Sequence, residues 1–184
     1  MKKIFVAALL LLCAYAAQAQ NRYITRNGHI WIYSKTPLEK IEAHNNQVAG
    51  VLDASTGAMA FDVVMRSFKF EKALMEEHFN ENYAESAKYP KSSFKGKVTN
   101  INQVNFKKDG SYDAVVEGDL TIHGVTKKVK HSGTITISGN QAYGKTKFTI
   151  TPQDYNIQIP SLVKDKIAKV IDINVDVKFD KQGK

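Results

Sequence analysis

The chain has 184 residues, with 26 Lys and Arg, 18 Asp and Glu, five His and one Cys. This length predicts a single domain whose core needs neither disulfides nor metal ions to be stable. A single cysteine excludes a disulfide framework and a cysteine-rich zinc site, and a hydrophobic content of 43% argues against wholesale disorder.

The N-terminus is typical of an export signal. Lys2 and Lys3 precede an apolar run that is too short to span a bilayer, and Ala17-Gln18-Ala19 is a small-x-small cleavage site. We therefore expect residues 1–19 to be a signal peptide that is cleaved near Ala19. Residues 20–184 would then form one extracytoplasmic domain, periplasmic or secreted, and Cys13 would be lost with the signal.

The excess of basic over acidic residues indicates which kinds of binding partner to expect. A basic exported chain is suited to transient contact with an anionic membrane surface. Nucleic acid is not an expected partner, because the lysines are spread through the predicted strands without a clustered basic and aromatic face. The sequence leaves open whether the chain forms a homodimer.

From Gly28 onward, apolar and polar residues mostly alternate with a period of two in short stretches separated by turn residues. The residues from Phe70 to Phe79 instead follow a helical period, and Tyr89-Pro90 marks the return to strand. A second irregular stretch runs from Pro160 to Ala168. The alternation predicts eight strands, at residues 28–36, 45–53, 58–67, 92–106, 111–122, 125–138, 141–151 and 169–180.

Turn residues predict how these strands pair. His123-Gly124 and Gly139-Asn140 read as two-residue hairpin loops, and residues 108–110 as a three-residue loop. Four consecutive strands then share one apolar face, so we expect an all-β fold, an eight-stranded antiparallel up-and-down barrel with one short helix at a barrel mouth. The predicted cross-strand pairs include Glu117 with Lys130, Asp119 with Lys128, Val116 with His131, Ile135 with Gly144 and Val98 with Leu120.

The predicted inner face is rich in small residues, namely Gly50, Gly96, Ala114, Gly118, Gly133, Ala142 and Gly144. They either help the sheet to coil or leave room along the axis for an elongated apolar ligand. If the barrel were solid, its outer surface would act in a structural or interaction role. Valine substitutions at glycines such as Gly118, Gly133 and Gly144 would overpack a solid barrel, whereas a ligand binder would lose its ligand.

Inward-facing positions supply the candidate ligand contacts. These residues are Ile32, Phe61, Met65, Phe94, Val98, Val116, Leu120, His131, Ile135, Phe148, Ile173 and Val175. The aromatic and leucine side chains of the helical region could close one mouth as a lid, or could simply cap the core. These lid candidates are Phe68, Phe70, Leu74 and Phe79. His131 is either a neutral core histidine or a polar contact to a ligand oxygen.

Catalysis is not expected. No cysteine nucleophile survives processing, and the chain has no nucleophile elbow and no His-x-x-x-His helix. The five histidines are predicted on scattered turns, faces and ends, so we expect no metal site. A hydrolase or isomerase is a weaker alternative, and it would predict turnover that fails when His131 is replaced by Ala.

Three segments together resemble the YceI-like, polyisoprenoid-binding family. Residues 118–129 (GDLTIHGVTKKV) resemble its signature hairpin, residues 74–79 and 87–94 (LMEEHF and AKYPKSSF) its helix and Lys-Tyr-Pro segment, and residues 154–157 (DYNI) its Asp-Phe-Gly-Ile motif. The resemblance covers roughly residues 28–180. The sequence departs from the family pattern in the segment 160–166 and at His131. The head group of the family's ligand is therefore not carried over to this chain.

The resemblance implies a lipocalin-like barrel outside the cytoplasm that holds a long isoprenoid or a related amphiphile, without enzymatic activity. We therefore expect an exported lipid-binding protein that sequesters or transports its ligand. The expected ligand is an isoprenoid, a quinone-like lipid or a fatty amphiphile, with no other cofactor.

Overall fold

Antiparallel strands make up most of residues 21–182, the part of the chain that this computed structural model describes. The predicted signal peptide, residues 1–19, lies outside the described residues. The strands are β1 Arg22–Lys35, β2 Lys40–Asp53, β3 Ala58–Val64, β4 Lys69–Phe70, β5 Lys91–Val98, β6 Gly110–Ile122, β7 Val125–Ser138, β8 Gln141–Ile150 and β9 Ile171–Lys181.

Eight of these strands close into a barrel. Each pairs antiparallel with the next along the ring, and β1 pairs with both β2 and β9 to complete it. The two-residue strand β4 lies beside β2 outside the ring. One short helix, α1 (Ala73–His78), follows β4 and continues into a π-helical turn at Phe79–Tyr83. This confirms the predicted up-and-down barrel with one short helix.

The two tight hairpins have the predicted register. Val116 pairs with His131 across β6 and β7, and Ile135 pairs with Gly144 across β7 and β8. His123 and Gly124 both have positive φ, at 50° and 74°, as a two-residue turn of the primed kind requires. The outward pairs of this hairpin carry opposite charges, as predicted, at Glu117 with Lys130 and Asp119 with Lys128.

The predicted pairing of Val98 with Leu120 is wrong. Strand β5 ends at Val98, which pairs with Val116, and residues 99–109 form a long connection. Asn100 explains the early end, because its side chain donates to the Asp113 carbonyl and accepts from the Val115 amide in place of a neighbouring strand. The register moves by an even number of residues, so every side chain keeps its predicted face.

Strands β1 and β2 begin earlier than the alternation predicts. Their pairing shifts register between Thr25 and Ile30, so the period of two is broken in the first half of β1. The buried side chain of Asn45 stabilises this irregularity, since its amide donates to the Val64 carbonyl and its oxygen accepts from the Gln47 amide.

The barrel interior is filled at one end only. The packed half lies at the end that contains the Gly139-Asn140 hairpin, and we call it the closed end. The alternative of a solid barrel therefore holds only for this half of the interior. Its buried side chains are Tyr23, Leu52, Val98, Val104, Ala114, Ile135, Ile137, Ala142, Val177 and Phe179.

Several of the inward glycines accommodate aromatic rings of the chain itself. The ring of Phe61 lies where a Cβ of Gly50 would be, and the ring of Phe94 covers the paired glycines Gly96 and Gly118. These glycines therefore make room for the protein's own side chains. This corrects the alternative in which they leave space for a ligand along the axis.

Candidate ligand cavity at the barrel mouth

A cavity of about 470 Å³ occupies the other half of the barrel, at the end that contains the His123-Gly124 turn. This volume lies within the range of about 300–1,000 Å³ that is usual for small-molecule sites. Ile30 and Ile32 of β1, Leu120 of β6 and Ile173 of β9 contribute to its walls. Because strand side chains alternate, these apolar residues point inward while their neighbours face solvent.

The inner boundary of the cavity is formed by Phe148. Its ring lines the cavity and stacks on the ring of His131, with the two centroids 4.3 Å apart. His131 itself does not line the cavity. Its partner across β6 and β7, Val116, belongs to the packed half.

The helical region forms one part of the cover. Phe79 packs against Phe68 and Phe70, with ring centroids 5.5 Å and 5.0 Å apart. The four predicted lid residues, Phe68, Phe70, Leu74 and Phe79, all line the cavity. Whether they open and close over a ligand stays a prediction.

A second part of the cover comes from the connection between β8 and β9, which was not expected at the site from the sequence. Its backbone is tied to the barrel where the Ala168 amide donates to the Ser34 hydroxyl, at 2.8 Å. The alternating apolar residues from Ile157 onward were a usable signal, because they continue an inward-facing pattern past the end of β8. The lining residues of this connection are Pro152, Ile157, Ile159, Val163, Lys166 and Ile167.

The predicted ligand contacts divide between the two halves of the barrel. Those that line the cavity are Ile32, Met65, Leu120, Phe148 and Ile173. Those that lie elsewhere are Phe61, Phe94, Val98, Val116, His131, Ile135 and Val175. Alternation along a strand determines which face a side chain is on, but it does not determine the depth in the barrel. Contact with a ligand stays a prediction for all of them.

His131 is a half-buried polar side chain on an apolar face, with its Nε2 atom fully buried. Its Nε2 atom has no hydrogen-bond partner within residues 21–182, and burial lowers the pKa of the imidazole below its ordinary value. The ring is therefore neutral at pH 7, and its contact with Phe148 is an apolar stacking contact.

This burial predicts a pH dependence of stability. The unfolded chain takes up a proton at His131 near pH 6.5, whereas the folded chain does so only at lower pH. The free energy of unfolding is therefore expected to fall as the pH decreases below about 6.5. Denaturant melts of the wild type and of His131→Phe at a series of pH values would measure it. The variant should show a shallower decrease, and an identical slope in both proteins would contradict the prediction.

A second histidine, His123, bridges the segments around the mouth. Its side chain is only 8% exposed, its Nδ1 lies 3.1 Å from the carbonyl oxygen of Tyr155, and its Nε2 lies 2.6 Å from a carboxylate oxygen of Glu85. A carbonyl oxygen only accepts, so Nδ1 is the donor to Tyr155, and Nε2 faces the carboxyl group of Glu85. From the sequence, His123 was expected only as a turn residue.

Left-handed backbone is concentrated at this bridge. Glu85, His123 and Asn156 are the non-glycine residues with positive φ in the described part of the chain, at 41°, 50° and 57°. His123 contacts Glu85 directly, and it hydrogen-bonds to Tyr155, the residue before Asn156. Such conformations cost free energy, so the hydrogen bonds of His123 offset local strain.

Replacing His123 by Asn tests this bridge. Asparagine tolerates the positive φ of the turn but cannot reach both partners, so we expect the free energy of unfolding to fall by about 1–3 kcal/mol. Chemical denaturation would measure the loss. Glu85→Gln serves as the comparison, because its amide can still hydrogen-bond to the imidazole and it should cost less. A His123→Asn protein as stable as the wild type would show that the bridge does not contribute.

Within residues 21–182, the Lys and Glu side chains that line the cavity lie near its opening. Glu39 and Lys72 both line the cavity and form a long ion pair, with 3.8 Å between nitrogen and oxygen. Lys166 lines the same end. The interior therefore suits an apolar chain, while the opening can accommodate a polar head group.

Comparisons with known proteins agree with this architecture. The family model described as the YceI-like domain matches residues 19–179. The chain belongs to the YceI-like family. Within residues 21–182 of this YceI-like protein, no cluster of three or more His, Asp, Glu or Cys residues is arranged to hold a metal ion. In the same residues, no helix has both the length and the apolar character needed to cross a membrane.

Solved structures show the same fold at low sequence identity. A polyisoprenoid-binding domain from Saccharophagus degradans, implicated in plant cell wall breakdown, is 12% identical with a TM-score of 0.77, over 88% of this YceI-like protein and 99% of that chain. BcnA from Burkholderia cenocepacia is 14% identical, with a TM-score of 0.68 over 82% and 95% of the two chains. A YceI protein from Campylobacter jejuni is 15% identical, with a TM-score of 0.59 over 77% and 85%. No curated protein matches the chain.

Proposed function

We propose that this protein binds an isoprenoid-type lipid or another long-chain amphiphile in the cavity at its barrel mouth, and that it sequesters or transports this ligand. The observation that supports the proposal is the cavity itself. In the described part of the chain, its lining is mainly aliphatic and aromatic, and its Lys and Glu side chains lie at the opening. An amphiphile would place its tail among Ile32, Leu120 and Phe148 and its head group near Glu39, Lys72 or Lys166.

Burial of the tail supplies the affinity. Each methylene transferred from water into the cavity contributes about 0.8 kcal/mol. A tail with about a dozen buried carbons would reach micromolar affinity after the costs of association and ordering. No bond is made or broken in this mechanism, so we propose a binding protein and not an enzyme.

The relatives support this ligand class without identifying it. The domain from Saccharophagus degradans is a polyisoprenoid-binding domain, and it shares the barrel fold. We also propose that the protein acts outside the cytoplasm, since residues 1–19 have the pattern of an export signal. A carrier in an aqueous compartment would shield the tail of the ligand from water.

Mass spectrometry on protein purified from its native host tests the proposal. The intact mass under non-denaturing conditions is compared with an organic extract of the same sample. We expect a stoichiometric isoprenoid, quinone or fatty amphiphile. Protein without bound ligand that also fails to take up an added polyprenol or quinone would exclude the lipid-binding function.

A further inference from the structure

Exposed apolar side chains are concentrated around the cavity opening. The large hydrophobic residues that are most exposed in the described part of the chain are Leu38, Leu74, Leu162 and Val170, at 68%, 60%, 93% and 51%. Leu74 lines the cavity. Each of the other three is next in sequence to a lining residue, namely Glu39, Val163 and Ile171. We call these four residues the apolar rim.

Contacts between segments place the residues of the apolar rim at the same end of the barrel. The start of helix α1 is joined to the turn between β1 and β2 by the ion pair of Lys72, the residue before the helix, with Glu39. The connection between β8 and β9 is joined to the end of β1 by the hydrogen bond from Ala168 to Ser34. Segments that are distant in sequence thus bring their exposed apolar side chains to one end of the barrel.

Basic residues are interspersed with this rim. The segment 161–170 carries Lys164, Lys166 and Lys169 against the single acidic residue Asp165, and all three lysines are exposed. None of them forms an ion pair with any residue in the range 21–182. Around Leu162 and Val170, the apolar surface is therefore bordered by unpaired cations, an arrangement that is suited to the interface of a bilayer with anionic head groups.

We propose that the apolar rim docks onto an anionic phospholipid bilayer, so that the cavity exchanges its ligand directly with the membrane. The reason for direct exchange rests on the proposed function, because a long apolar tail would otherwise have to cross water. A symmetric contact between two copies of the chain fits less well, since it would bring the lysines of one rim toward those of the other.

Co-sedimentation with vesicles tests the docking surface. The vesicles contain phosphatidylcholine and phosphatidylglycerol in equal parts, or phosphatidylcholine alone. We expect binding to the anionic vesicles, weaker binding to the neutral ones, and at least about a tenfold loss of binding for the triple variant Leu38→Ser, Leu162→Ser and Val170→Ser. Equal binding of this variant and the wild type, or no binding of the wild type, would overturn the proposal.

Matched lysine variants separate docking from net charge. Lys164→Gln with Lys169→Gln removes two charges at the rim, whereas Lys107→Gln with Lys108→Gln removes two exposed charges at the closed end. Only the first pair should weaken binding to anionic vesicles. Equal weakening by both pairs would indicate attraction by net charge alone and would overturn the proposal.

Ligand binding is measured separately, with a fluorescent polyprenol analogue added from solvent without vesicles. None of the three substituted rim residues lines the cavity, so the triple variant should bind the analogue as the wild type does. If the wild type binds the analogue but not the vesicles, only the docking proposal is disproved. If it binds the vesicles but does not take up the analogue, only the lipid-binding function is disproved. A wild-type dimer that the triple variant dissociates, seen by sedimentation velocity, would assign the rim to a second copy and overturn the proposal.

Discussion

Replacing Ile32 by Trp is expected to lower the affinity for a long-chain ligand about a hundredfold. Ile32 lies on β1 between its paired neighbours Ala43 and Ile173, and its side chain lines the cavity. An indole at this position would take the space of three or four methylenes of the tail, each of which contributes about 0.8 kcal/mol. The loss of about 2.5–3 kcal/mol corresponds to a hundredfold change in Kd, measured by titration with a fluorescent polyprenol analogue.

The adjacent residue offers a control. Tyr33 lies on the opposite face of β1, so Tyr33→Trp introduces the same side chain outside the barrel. The Tyr33→Trp variant should bind the polyprenol analogue with the affinity of the wild type. Both variants should show a cooperative unfolding transition. Unchanged affinity in Ile32→Trp would show that the ligand does not occupy this cavity.

Replacing Gly118 by Ala is expected to destabilise the fold by about 1–3 kcal/mol, although only one methyl group is added. A Cβ at Gly118 would contact the backbone oxygen of Lys95 and the backbone of Gly96, and it would lie 2.7 Å from the ring of Phe94. Backbone atoms in a paired strand cannot move aside without breaking the ladder. Chemical denaturation would measure the difference in the free energy of unfolding.

Gly144 is the matched control for this effect. A Cβ there would meet only the ring of Phe179, at an ordinary contact distance of 3.4 Å, so Gly144→Ala should be neutral or stabilising by up to about 1 kcal/mol. Equal destabilisation by both substitutions would show that close backbone approach is not the cause. Combined valine substitutions at these glycines would not separate a hollow barrel from a solid one, because Gly118 is crowded by its own sheet.

The strand faces were predictable because strand side chains have only two orientations. Once His123-Gly124 and Gly139-Asn140 are recognised as turns, the pairing of three strands follows. The prediction failed where side chains replaced regular strand pairing. Asn100 ends β5 early and Asn45 supports the irregular register of β1 and β2, and neither contact has a periodic signal.

The cavity was less predictable than the barrel. Phe148 and His131 are on the same inward face, yet only Phe148 lines the cavity, because depth depends on how far neighbouring rings fill the barrel. The role of His123 depends on Glu85 and Tyr155, which are 38 and 32 residues away in sequence. No local pattern indicates such a contact.

The sequence by itself determined the barrel class, the inward and outward faces of its strands, the two tight hairpins and the resemblance to the YceI-like family. These features depend on local alternation and turn chemistry, which act between near neighbours in the chain. Only the tertiary structure decided that one half of the barrel is packed and the other hollow. It also showed that the connection between β8 and β9 covers the cavity and that separate segments place exposed apolar residues at its opening. These features depend on which distant segments come together, since the filling of space in a closed barrel is a property of all its strands at once.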